Sequence, residues 1–124
     1  MYMKPTRSSL DTLMALFEVL SHDLSPTARC KHIHMFLRIV SHEGASISEL
    51  HRLHPKGSLS STFKLVRELS ARSWRKQEKK SLTQKRIPGL GLVRLEPDEH
   101  DERIQRVYLS KKGQHLAQKL IKTL

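Results

Sequence analysis

The 124 residues predict a single domain, mainly α with a small β element (α+β), the latter of two or three strands. Three observations carry that expectation. Apolar residues recur at helical spacing in four successive stretches before residue 70. From Gly89 to Gly113 the pattern changes: two runs rich in Leu, Val, Ile and Tyr flank the polar segment PDEHDE. Helical spacing then returns to the last residues, through Leu116, Leu120 and Ile121.

The elements follow in order. Ser8, with Asp11 three residues on, reads as a helix start of capping-box type, and the helix is expected over 8–22. Leu10, Leu13, Met14, Phe17 and Leu20 make its apolar face. A second start lies at Ser25-Pro26-Thr27, where Ser caps and Pro is tolerated at the first helical position. Cys30, Ile33, Phe36, Leu37 and Val40 form the expected buried stripe, and Gly44 the stop. Ser46-Ile47-Ser48-Glu49 is another capping box, opening a short helix that Pro55 and Gly57 end. SLSSTFKLVRELS, residues 58–70, is a fourth helix with Leu59, Phe63, Val66 and Leu69 inward. Ser60, Ser61, Lys64, Arg67 and Glu68 fall elsewhere on its circumference. Residues 71–88 form a basic insertion that either prolongs this helix to about Lys80 or makes a mobile loop. Pro88, Gly89 and Gly91 end it. Leu92–Glu96 and Ile104–Leu109 are the strands of a hairpin spanning 89–110, and Ser110 opens a helix over 110–124.

Helices two to four, over 26–70, are joined by short turns and followed by a hairpin. That is the order of a winged helix-turn-helix with short flanking helices, in which the second helix of the motif enters the major groove and the wing reaches flanking backbone or minor groove.

Charge agrees with that reading. The chain carries 23 Lys and Arg against 12 Asp and Glu, a formal +11. Residues 1–51 are neutral, with five charges of each sign, whereas residues 52–86 hold eleven basic against two acidic side chains. A field this localised points to a polyanion, and double-stranded DNA is the expected partner. No apolar run is long enough to span a bilayer, and the first residues lack the apolar core of an export signal, so no membrane is expected. A single cysteine, Cys30, excludes an internal disulfide and fits a reducing cytoplasm. The expected setting is a prokaryotic nucleoid, or a host cytoplasm for a virus- or plasmid-encoded protein.

The wing carries a resemblance. Gly91-Leu92-Val93, Pro97, Asp101-Glu102-Arg103, Leu109-Ser110 and Gly113 follow one another at the spacing of the wing of the MarR (multiple-antibiotic-resistance regulator) family, with Ser in place of Thr. Upstream, ASISEL resembles that family's third helix and SLSSTFKLVREL its recognition helix, so the resemblance covers about residues 27–70 and 89–116. The chain departs from the pattern in its basic insertion and in its shortened terminal helices. The resemblance implies a transcriptional regulator, with repression as the default, and a homodimer through the terminal helices. It further implies that Arg103 enters the minor groove and that Asp101 orients it.

Residue types at the fourth helix fit the same role. Ser58, Ser60, Ser61 and Thr62 lie where backbone N–H groups and the helix dipole favour phosphate. Lys64 and Arg67, one and two turns on, are placed for phosphates or guanine edges. In the insertion, Arg72, Arg75, Lys76, Lys79, Lys80, Lys85 and Arg86 are expected to grip backbone, adding salt-dependent affinity rather than sequence choice. Trp74 is expected to pack on its own domain. Two other readings accompany this one: a winged-helix protein of replication, partition or DNA architecture, and a basic module docking on an acidic protein partner. Fold does not decide among them.

Catalysis and cofactors find no support. GLGL at 89–92 lacks the strand-then-helix setting of a nucleotide fingerprint. His32-x-His34 and His51-x-x-His54 lack the accompanying Cys or carboxylate spacing of a zinc site. Cys30, placed in an apolar stripe, reads as an inert thiol. The acids of 96–102 lie on one turn with no second cluster to share a divalent ion.

Overall fold

A computed structural model describes residues 7–24, 28–53, 55, 57–70, 74–75, 86–87 and 89–124. Along the chain run α1 (Arg7–Asp23), α2 (Cys30–Ser41), α3 (Ile47–Leu53), α4 (Leu59–Leu69), β1 (Trp74–Arg75), β2 (Arg86–Ile87), β3 (Val93–Pro97), β4 (Gln105–Leu109) and α5 (Lys111–Thr123). Among these residues no helix is long and apolar enough to cross a membrane.

Serines set three of the helix starts. Ser46 Oγ accepts from Glu49 N at 3.1 Å while Glu49 Oε2 accepts from Ser46 N at 3.4 Å, a reciprocal box before α3. Ser58 Oγ accepts from Ser61 N at 3.1 Å before α4, and Ser110 Oγ from Gly113 N at 3.1 Å before α5. The other two starts differ from expectation. Ser8 lies inside α1, its carbonyl already accepting from Thr12 Oγ1 at 3.0 Å. The second helix begins at Cys30, later than Pro26; Arg29 is its cap residue, and Arg29 N donates to His32 Nδ1 at 2.9 Å. Residues 25–27 lie outside the described part.

Two apolar stripes also depart in part from their expected membership. In α2 the buried residues are His32, Met35, Phe36 and Ile39, whereas Leu37 and Cys30 are exposed. In α4 they are Thr62, Val66, Glu68 and Leu69, and Leu59 is exposed. On the buried sides of these helices His32 and Glu68 meet in a hydrogen-bonded contact between α2 and α4, while Val66 and Leu69 are buried as expected and Phe63 packs against the core. A buried carboxylate is tolerable only when so paired.

The core gathers Phe36 and Ile39 of α2, Leu50 of α3, Val66 and Leu69 of α4, Leu92, Val93 of β3 and Val107 of β4. Each such side chain contributes about 1.5–3 kcal/mol by leaving water. Leu116, Ala117 and Leu120 of α5 close it from the C-terminal side, and α1 packs on α5. The face of α1 turned inward holds Leu16, Val19 and Leu20. Leu20 was expected there, but the rest of the expected face is not: Leu10, Leu13, Met14 and Phe17 stand exposed.

Strands β3 and β4 pair antiparallel, from Val93 opposite Leu109 to Pro97 opposite Gln105. A bridge between Ser46 and Arg106 extends this sheet by one short edge to the α2–α3 turn. Of the two expectations for the insertion, the prolonged helix is corrected, whereas the loop falls on residues that lie mostly outside the described part. α4 stops at Leu69, Ser70 is extended, and Trp74–Arg75 pairs antiparallel with Arg86–Ile87.

Candidate nucleic-acid interface

Positions 60, 64 and 67 fall on one side of an α-helix, and α4 turns that side to solvent. Ser60, Ser61, Lys64 and Arg67 are all exposed, as is the cap Ser58, whose Oγ lies 3.0 Å from Ser61 Oγ. Thr62 does not join them. It is 3% exposed, and its Oγ1 lies 2.9 Å from His51 Nδ1 on α3, so its hydroxyl is spent inside the protein. Two polar contacts thus hold the buried side of α4, His51–Thr62 from α3 and His32–Glu68 from α2. His32 Nδ1 accepts the Arg29 amide, which leaves Nε2 to carry the proton toward Glu68. The helix that presents Lys64 and Arg67 is therefore fixed in rotation from two directions.

The wing presents a second cation. Asp101 Oδ1 accepts from Arg103 N and from Arg103 Nε, each at 3.1 Å, and Oδ2 accepts from Nη2 at 3.3 Å. The fork is two-pronged, so it fixes the plane of the guanidinium as well as its position. Arg103 nonetheless remains 91% exposed. Behind it, Asp98 Oδ2 accepts from the amides of His100 and Asp101 at 3.1 and 3.2 Å, and Asp98 Oδ1 from Arg106 Nε at 2.6 Å. The Arg106 hydrogen bond, helped by those amides, holds the Asp98 carboxyl below the usual carboxylate range. Asp98 in turn raises Arg106 further. Sequence reasoning missed Asp98 and Arg106 as a pair; their only signal was opposite charge at the two ends of one turn. On the outer face of the sheet, Arg94 stacks over Tyr108 at 4.9 Å and pairs with Glu96.

Of the basic insertion, only residues 74–75 and 86–87 lie among the described residues. Arg75 and Arg86 sit opposite each other in the β1–β2 pair, whereas Arg72, Lys76, Lys79, Lys80 and Lys85 lie outside the described residues. Of the histidine pairs, His32 is buried and His34 exposed, so the two do not converge, and His54 lies outside the described residues. Cys30 is exposed at the start of α2, contrary to its expected burial. An open cleft of about 490 Å³ lies between the ends of α1 and α5, lined by Asp23, Leu92, Lys112, His115, Leu116 and Lys119. Its lysines are engaged within the protein: Lys119 Nζ with Asp23 at 2.9 Å, Lys112 Nζ with Leu90 O at 3.1 Å. The Lys119 bond lowers the Asp23 pKa.

Three solved structures share this architecture. A transcriptional regulator from Thermotoga maritima superposes with a TM-score of 0.60 at 18% identity, over 92% of this chain and 65% of its own. A MarR-like transcriptional regulator from the same organism gives 0.56 at 19% identity, over 98% and 76%. The fold is a MarR-like winged helix. The PcaV transcriptional regulator of Streptomyces coelicolor, solved with its natural ligand, gives 0.55 at 14% identity over 99% of this chain and 77% of its own. The chain thus spans just under two thirds of the first regulator's length. No protein-family model and no curated protein matches its sequence. In the MarR-like fold α3 and α4 are the helix-turn-helix pair, and β3–β4 is the wing hairpin. The three solved proteins are all described as transcriptional regulators.

Proposed function

We propose that this protein is a sequence-specific double-stranded DNA-binding regulator of transcription, without enzymatic activity, acting in the cytoplasm. The observation that carries the reading is the exposed row Ser60, Lys64 and Arg67 on a recognition helix fixed by His32–Glu68 and His51–Thr62. α4 enters the major groove, where Lys64 and Arg67 meet base edges or phosphates and Ser58, Ser60 and Ser61 meet the backbone. Thr62, being buried, makes no such contact. The wing carries Arg103 to the minor groove, whose negative potential attracts an arginine. Promoter occupancy by such a domain represses by default.

Two copies act together. Leu10, Leu13, Met14 and Phe17 form an exposed apolar row on α1, and Ile121 and Leu124 are exposed at the end of α5. Rows of this size on a small soluble domain mark association surfaces. A second copy meeting these helices yields a two-fold dimer, which reads two half-sites.

The test is a binding assay on genomic fragments against competitor DNA. One fragment preferred over competitor supports the reading, and no preference for any fragment sinks it. For the insertion, neutralising Arg75, Lys76, Lys79 and Lys80 together should flatten the slope of log affinity against log salt by about 0.9 per lost phosphate contact. An unchanged slope would remove that segment from the DNA interface.

A further inference from the structure

The base of the wing is fastened by backbone. Gly44 N donates to Val107 O at 2.8 Å, Val107 N to Ala45 O at 3.0 Å, and Leu109 N to Glu43 Oε2 at 2.8 Å. These bonds seat β4 against the α2–α3 turn, but they stop short of the tip, residues 98–104, which carries Arg103. At the tip the chain closes on itself, Asp98 N donating to Ile104 O at 2.8 Å and Ile104 N to Asp101 O at 3.0 Å.

One side-chain relay joins tip to body. Arg106 Nη1 donates to the carbonyl of Gly44 at 3.0 Å, while its Nε donates to Asp98 Oδ1 at 2.6 Å. Asp98 Oδ2 accepts the amides of His100 and Asp101, and the Asp101 carboxylate grips Arg103. The relay is sheltered: the Asp98 side chain is 14% exposed and that of Arg106 34%. Glu96 lies directly across from Arg106 but is taken by Arg94, which leaves Arg106 for Asp98. The carbonyl at the far end belongs to the turn that leads, through the Ser46 cap, into α3, and α3 holds α4 by His51–Thr62. A guanidinium can serve two acceptors in a fixed fork; a lysine ammonium carries no such fork.

We propose that Arg106 and Asp98 are positioning residues that fasten the wing tip to the α2–α3 turn and so set where Arg103 stands relative to the recognition helix. Neither touches DNA in this scheme. They act by ordering the tip before binding, which removes that entropic cost from the complex. The step to affinity rests on the reading of Arg103 as a DNA contact.

The test has two arms. In the free protein, backbone NMR order parameters for residues 99–103 should be near 0.85 in the wild type and fall below about 0.6 in Arg106→Gln, with the order of α4 unchanged. Unchanged tip order in that variant would overturn the proposal without reference to DNA. On a bound duplex, Arg106→Gln should weaken affinity roughly five- to tenfold alone and by less than about twofold in an Arg103→Ala background, since the two act as one unit. Arg106→Lys keeps the charge but not the fork, so it should lose affinity too. Additive losses, or a lysine variant equal to wild type, would make Arg106 a direct electrostatic contact and overturn the positioning role. Loss of tip order together with an Arg103→Ala variant that binds DNA normally would support the tether while sinking the minor-groove reading on which its link to affinity depends.

Discussion

Replacing Gly113 by alanine should destabilise the protein, although helix propensity alone predicts the reverse. Gly113 is the third residue of α5, and alanine is favoured over glycine inside a helix by about 1 kcal/mol. The surroundings decide otherwise. A Cβ built on Gly113 would lie 2.0 Å from the carbonyl oxygen of Leu92 and 3.1 Å from its carbonyl carbon. Even weak C–H···O contacts sit at about 3.3–3.6 Å, so α5 and the strand entry must separate by more than an ångström. Neither atom is the end of a flexible side chain. The same Leu92 oxygen accepts from Ser110 N at 3.0 Å, so any shift that relieves the clash strains the bond that docks α5. Overpacking costs about 1–3 kcal/mol, and a backbone clash lies at the upper end; the weakened hydrogen bond adds about 1 kcal/mol. Set against the propensity gain, the net is a loss of about 3 kcal/mol.

For a chain of this length that corresponds to a Tm lower by roughly 10 °C. Calorimetric scans of the variant beside Gln114→Ala, an exposed neighbour in the same turn, measure it directly. The control should stay within about 0.5 kcal/mol of wild type. A Gly113→Ala protein as stable as wild type, or more so, would refute the close approach of α5 to Leu92 and with it the docking of the wing base on that helix.

Other expected outcomes are more direct. Arg103→Ala should cost about tenfold or more in DNA affinity while His100→Ala costs little, measured by fluorescence anisotropy on one duplex; equal losses would count against minor-groove insertion. Glu68→Ala leaves the buried His32 Nε2 without its acceptor and should lower stability by about 1–3 kcal/mol in urea titration, whereas no change would mean that the contact is not buried. Changing Met14 and Phe17 together to Glu should convert a dimer to a monomer by sedimentation with helix content retained. If mass stays that of a dimer, α1 is not the interface.

Most of the architecture was legible in the residues. Helix starts at Ser46, Ser58 and Ser110 could be read because a cap is a local event, decided by a side chain and an amide three residues on. The β3–β4 hairpin could be read within one residue because its turn is bracketed by two apolar runs. What escaped was long-range. His32 and Glu68 are 36 positions apart, and nothing near either one announces the other. Their contact lies on sides of α2 and α4 that spacing alone assigned to solvent, while Leu37 and Leu59 are exposed. The same limit hid the role of α1, which has apolar residues on two faces. Spacing identifies such faces but not which one the body of the domain covers and which one stays exposed.

The candidate site shows a related division. A helix face can be computed from spacing, so Ser60, Lys64 and Arg67 were legible as one row. Thr62 was not separable from them, because only the fold reveals that His51 reaches it. The wing is where charge counting misled most. Its tip holds Asp98, Glu99, Asp101 and Glu102 beside Arg103, acids against the sign of a chain of formal charge +11. Two of those acids are structural: Asp98 pins the turn and Arg106, and Asp101 aims Arg103. Glu99 and Glu102 remain exposed, where on the proposed reading they would repel phosphate and discourage the tip from resting anywhere along a duplex. An arginine held out from such a tip gains only where the groove potential is negative enough to outweigh those carboxylates, as in a narrow minor groove. Under the proposed function, the basic segment 52–86 would supply attraction to any DNA, and the acidic wing would withhold it from most.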